Sequence, residues 1–190
     1  MRNRLFRTVF EILLGFLVIL IAALAVRAGW LRFYRAAYPL EYEQIVLLQS
    51  EINGLDPALV FAIIRTESGF NPTAQSPVPA RGLMQITEDT FEWARWRTGG
   101  DESHSYEDLF DPETNVHYGT ALLRLLSDEL GPDRNILCAY HAGRTNALNW
   151  AKNPAYAPDG QLIENIPFGD TGRYVEKVLE TRDIYKRLYF

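Results

Sequence analysis

The sequence predicts an all-α domain carried behind one amino-terminal apolar helix. Three observations predict it: an uninterrupted apolar run near the start, helix-length segments punctuated by proline, glycine and capping residues after it, and no sustained alternation of β-branched residues. The chain has 190 residues, 47% of them hydrophobic and only one a cysteine, which excludes a disordered, collagen-like or disulfide-stapled protein. Residues 1–35 hold six Arg and one Glu, whereas residues 36–190 hold 13 basic and 23 acidic side chains. An acidic body lacks the basic face that phosphate neutralisation needs, so no nucleic-acid partner is expected.

From Val9 to Val26 the chain reads VFEILLGFLVILIAALAV with Glu11 as its one charge. As a helix this run spans roughly 27 Å, just enough for a hydrocarbon core about 30 Å thick. Glu11 lies one turn inside, within reach of Arg7 or Arg4. Arg2, Arg4 and Arg7 followed by Ala23-Leu24-Ala25 also fit a cleaved signal peptide. Trp30, Phe33 and Tyr34 with Arg27, Arg32 and Arg35 favour a retained anchor, because they form an interfacial belt. Three Arg on each side leave the orientation open. Residues 1–35 are thus read as the anchor segment and residues 36–190 as the domain.

The domain's elements follow in order. Pro39 opens a helix to Asn53, with Ile45, Leu48 and Ile52 on one face and Gly54 as its stop. Asp56 and Pro57 cap and start a second helix to Glu67. Residues 71–82 form a loop containing three prolines. Thr87 starts a helix through Arg97, ended by Gly99 and Gly100. Asp111-Pro112-Glu113 begins a long helix on which Val116, Leu122, Leu123, Leu126 and Leu130 recur at helical spacing. Short helices at 135–140 and 146–151 precede a loop at 153–169. A last helix runs from Asp170 or Thr171 to the end, with Tyr174, Val178, Ile184 or Tyr185, and Leu188 inward. Cys138 lies among apolar neighbours and reads as a small buried hydrophobe.

The second of these helices holds the most informative oddity. Val60, Ile63, Ile64 and Glu67 fall at i, i+3, i+4 and i+7, so a carboxylate shares the apolar face. Desolvation there raises its pKa above the ~4.3 of a free Glu unless a cation compensates. Arg65 points to another side of the helix. A carboxylic acid kept protonated near neutrality suits a general acid that protonates a leaving oxygen. His104 and His117 have no ligand-like spacing and no HExxH occurs, so neither metal nor cofactor is expected.

Glu67-Ser68-Gly69-Phe70, Ala80-Arg81-Gly82-Leu83-Met84-Gln85-Ile86, Ala139-Tyr140-His141-Ala142-Gly143, and Ile166-Pro167-Phe168 leading to Tyr174-Val175 occur in that order. Asp111-Pro112-Glu113-Thr114-Asn115 and Gly54-Leu55-Asp56-Pro57 support them. With these motifs the chain, from about Tyr38 to Phe190, resembles the soluble-lytic-transglycosylase-type domain, whose fold is related to goose-type lysozyme. The resemblance implies cleavage of the β-1,4 bond between N-acetylmuramic acid and N-acetylglucosamine in peptidoglycan strands, without water, leaving a 1,6-anhydro sugar. It implies Glu67 as the acid/base and Tyr174 as a tyrosine close to it. Ser76 and Gln85 would line the saccharide groove, Met84 and Tyr140 would form its apolar wall, and His141 would lie beside the sugar. It also implies a domain on the extracytoplasmic side of the membrane, secreted there if the leader is cleaved. A hydrolytic muramidase and a non-catalytic peptidoglycan-binding protein are the competing readings on the same scaffold.

The chain departs from the family's usual residues at three places. His141 stands where the family usually has Asn, Thr87-Glu88 where it has Met-Pro, and Asp170-Thr171-Gly172 where it has Glu-Thr-Arg. A neutral imidazole nitrogen donates or accepts but does not do both, so sugar contacts at His141 should differ and a pH dependence near 6.5 should follow.

Overall fold

The computed structural model describes residues 2–77, 79–100 and 102–190. It divides into one compact unit ending at Pro39 and another spanning Leu40–Phe190. The first unit is a single helix, α1 (Arg2–Ala37), on which the apolar segment Phe10–Ala37 has a mean hydropathy of 2.5 and no buried share. It is long and apolar enough to cross a membrane. Glu11 accepts from Arg7 at 3.0 Å, one turn away, which neutralises the run's internal charge. Trp30 stacks on Tyr34 with ring centroids 5.6 Å apart, and Phe33 meets both rings edge-on.

The second unit is mostly helical: α2 (Glu43–Asn53), α3 (Pro57–Glu67), α4 (Glu88–Arg97), a 3₁₀ turn (Tyr106–Phe110), α5 (Pro112–Leu130), α6 (Asp133–Ala142), α7 (Arg144–Ala151) and α8 (Gly169–Tyr189). The expected all-α class is observed. Two-residue strands β1 (Ala80–Arg81) and β2 (Ile86–Thr87) pair antiparallel, Ala80 with Thr87 and Arg81 with Ile86. They pinch the loop after α3 into a hairpin. The helix expected from Pro39 begins four residues later, because Tyr42 turns the chain with φ 57°.

At the centre lies α3. Ala58 through Ile64 are all buried, so the helix is covered on every side, and each large apolar side chain contributes about 1.5–3 kcal/mol by burial. Its start is set by Asp56, whose carboxylate accepts from Ala58 N at 3.0 Å, with Pro57 at the first helical position. Helix α8 packs along α3, with Tyr185 stacked on Phe61 at 5.4 Å. Surface ion pairs Arg182–Asp133 (2.6 Å) and Lys186–Asp56 (2.8 Å) fix its register more than they add stability. Val116, Leu122, Leu123, Leu126 and Leu130 are all buried on α5.

Two buried asparagines stitch loops onto this core. Asn115 accepts from Met84 N (2.8 Å) and donates to the carbonyls of Arg81 (2.9 Å) and Leu109 (2.8 Å). Asn135 accepts from Ile163 N (2.9 Å) and donates to Leu130 O (3.1 Å) and Gln161 O (2.7 Å). Each satisfies backbone groups that irregular segments would otherwise leave orphaned. Cys138 is buried, which pushes its thiol up to about 11 and leaves it unreactive.

Candidate active site

Glu67 is the last residue of α3, and the chain after it turns away at once. Gly69 and Phe70 both adopt positive φ, 58° and 68°. Phe70 tolerates that conformation because its ring is buried against Phe61, 6.4 Å away. The Ser68 hydroxyl, 2.8 Å from Leu83 O, ties the helix end to the hairpin. The carboxyl is therefore left at the mouth of a buried helix, half-covered, with a loop folded beside it.

Its nearest polar partner comes from the far end of the sequence. The Tyr174 hydroxyl, on α8, donates to Glu67 Oε1 at 2.6 Å. Burial pushes the Glu67 carboxyl up to about 7, while the Tyr174 hydroxyl and the Lys177 ammonium work in the opposite direction. The charge that bears on the carboxyl is the Lys177 ammonium, from the turn of α8 after Tyr174. Burial, reinforced by the Glu67 charge, keeps both Tyr174 and Tyr140 neutral, with pKa values well above the ordinary phenol. Tyr174→Phe should move the carboxyl higher still, since it removes a bond that favours the ionised form. The alkaline limb of activity should shift to higher pH and the rate fall about tenfold, measured as a pH profile of kcat/KM.

The hairpin between α3 and α4 supplies a second wall. Gly82, at φ 73°, has no room for a side chain, because a Cβ would fall on Leu109 O and the Asn115 amide. Gln85, itself at φ 47°, donates through Nε2 to the carbonyls of Ala74 and Gly82, both at 3.0 Å. Its amide hydrogens brace the loop, leaving only the carbonyl oxygen for a ligand. Ser76 is half-exposed on the same loop and donates its backbone N–H to Ala80 O at 3.3 Å.

The reading of Met84 as groove wall needs correcting. Its side chain is fully buried and packs on Gly119, a position where a Cβ would collide with the sulfur. What Met84 offers the site is its carbonyl, which accepts from the Tyr140 hydroxyl at 2.6 Å. That bond ties α6, through Tyr140, to the hairpin. The next residue on α6, His141, lies with its ring 4.5 Å from that of Tyr174 and tilted by 32°.

Beyond Tyr140 lies a cleft of about 270 Å³, lined among others by Asp89, Trp93, Tyr140 and Arg144. Arg97 and Arg144 stand over the Trp93 ring at 5.4 and 5.7 Å, and both pair with Glu129. Sequence reading missed this group and Lys177, since none of them belongs to a motif; the spacing of Trp93 and Arg97 by four on one helix was the available signal. Among the described residues no group of His, Cys, Asp and Glu could hold a metal ion.

Comparison with known proteins fits this geometry. The family profile described as the Transglycosylase SLT domain matches residues 45–163, more than half of the chain. The chain belongs to the SLT transglycosylase family. The soluble lytic murein transglycosylase of Escherichia coli K12 is 34% identical over 154 residues, 80% of this chain and 24% of that protein. The membrane-bound lytic murein transglycosylase C of Edwardsiella ictaluri is 33% identical over 174 residues, 78% of this chain and 47% of that one. The crystal structure of the 70-kDa soluble lytic transglycosylase of E. coli superposes with a TM-score of 0.73 at 31% identity, covering 81% of this chain and 25% of that one. The chain thus spans about a quarter of its soluble relatives and about half of its membrane-bound ones.

Proposed function

We propose that this SLT domain is a peptidoglycan lytic transglycosylase that works with one carboxyl group. The observation that carries the reading is Glu67: half-buried at the end of α3, pushed up to about 7 by burial and bonded to the Tyr174 hydroxyl. In the proposed reaction Glu67 gives its proton to the glycosidic oxygen as the bond to C1 of N-acetylmuramic acid breaks. The resulting carboxylate then takes the proton of the C6 hydroxyl as that oxygen closes on C1, which restores the acid and forms the 1,6-anhydro ring. Tyr174 steadies the carboxylate in the interval. Hydrolysis ordinarily uses a second carboxylate, about 6.5–9.5 Å from the first in inverting enzymes and about 5–5.5 Å in retaining ones, whereas the charge that bears on Glu67 is the Lys177 ammonium, and this favours ring closure.

Gln85, Ser76 and Tyr140 are proposed to line the glycan groove, which continues past Tyr140 to the half-exposed Trp93 indole, a surface suited to the apolar face of a sugar. Trp93→Ala should raise KM about three- to tenfold with kcat little changed, read from initial rates on isolated sacculi. The proposed location is the extracytoplasmic face of the membrane, with α1 as anchor, because that is where peptidoglycan lies. Mass spectrometry of the digested glycan is the test. Anhydro-muropeptides are expected; reducing ends alone would mean a muramidase, and uncut strands a binding protein.

A further inference from the structure

The His141 imidazole packs on Tyr174, the residue that bonds Glu67. His141 closes α6, and its Nδ1 lies 3.0 Å from the Thr171 hydroxyl in the first turn of α8. Its ring covers the face of Tyr174, three residues further along the same helix, at 4.5 Å. Tyr174 in turn reaches Glu67 at 2.6 Å. The side chain therefore grips α8 at two points and fixes the ring that positions the carboxyl.

We propose that His141 is a positioning residue for the transglycosylase reaction, holding the Tyr174 phenol against Glu67, and that it serves this reaction only while uncharged. The proposal rests on the activity argued above. Cleavage builds positive charge on the sugar ring, and a cation stacked on the neighbouring tyrosine opposes it while drawing Glu67 toward its ionised form. Few charges offset that effect. Asp170, in the first turn of α8, acts on the imidazole and favours its charged form, but burial outweighs it and keeps the pKa below the ordinary 6.5. On α7 Arg144 is engaged by Glu129 of α5. On α3 the facing group is Glu67 itself, reached through Tyr174.

The test uses the full chain in detergent micelles, acting on isolated sacculi between about pH 5 and pH 8. The wild type should lose about three- to tenfold in kcat on the acid side, below pH 6.5. His141→Asn should be flat there and share only the alkaline limb set by Glu67. His141→Ala, lacking both the stack and the Thr171 contact, should lower kcat with KM unchanged. An identical acid limb in wild type and His141→Asn, or a rise in KM alone, overturns the proposal.

A second measurement needs no turnover. With ¹³C-labelled tyrosine rings, the Tyr174 signals of the wild type should move in two steps, one with a midpoint below 6.5 and one with Glu67 near 7, and those of His141→Asn should show only the second. A Tyr174 signal indifferent to His141 overturns the positioning role even if glycan is cut. A moving signal in a protein that forms no anhydro product keeps the coupling and overturns the activity instead.

Discussion

Glu67→Gln should cut glycan at least about 10²–10⁴ times more slowly than the wild type while still binding it. The amide preserves the shape of the carboxyl and still accepts from the Tyr174 hydroxyl, but it has no proton to give to a leaving oxygen. The same substitution should make the protein more stable in alkaline buffer, and the sign follows from linkage. In the unfolded chain the carboxyl titrates near 4.5, in the folded one near 7. Between those values the folded state binds more protons, so wild-type stability falls as pH rises through the window, by up to about 3 kcal/mol once both are passed. The amide does not titrate, so Glu67→Gln has no such loss. Thermal unfolding of both proteins at pH 5 and pH 8 should give similar Tm values at the lower pH and a higher Tm for the variant at the upper one. A site carboxyl that costs stability is the expected pattern for an acid held at the mouth of a buried helix.

Asn115→Ala should be the most destabilising of the substitutions considered, by about 3–5 kcal/mol. The residue is 0% exposed and makes three bonds to backbone groups of the hairpin and the 3₁₀ turn. Alanine would leave Met84 N–H and the Arg81 and Leu109 carbonyls without this partner. Because the same bonds shape the loop that carries Gln85 and Ser76, activity should fall further than the unfolded fraction accounts for. Urea unfolding of the full chain in micelles measures the first effect, and initial rates at a temperature where the variant is folded measure the second.

Much of this was legible in advance where a local rule and the tertiary structure agree. Asp56-Pro57 and the Gly69 turn bound α3 at the predicted residues, and the stripe ending in Glu67 pointed to a desolvated carboxyl that the fold does bury. The legible part ended where packing between distant segments decides. On α2 the buried residues are Val46, Gln49 and Ser50, whereas Leu48 and Ile52 of the expected apolar face are 54% and 64% exposed. Periodicity names a stripe but not what covers it, and here polar side chains face α5, where Asn53 donates to the Thr120 hydroxyl at 3.1 Å. Strands of two residues are too short for any alternation to show, so β1 and β2 left no signal. Met84 misled for a related reason. The motif that contains it borders the site, yet Met84 lies in the turn between β1 and β2, where its side chain is buried in the core and its carbonyl meets Tyr140.

A ¹³C NMR titration of the Glu67 carboxyl in the full chain is the most direct measurement of the central claim. A midpoint near 7 is expected, with the signal still largely that of the protonated acid at pH 6. A carboxylate already charged at pH 6, with the ordinary midpoint near 4.5, would contradict the account.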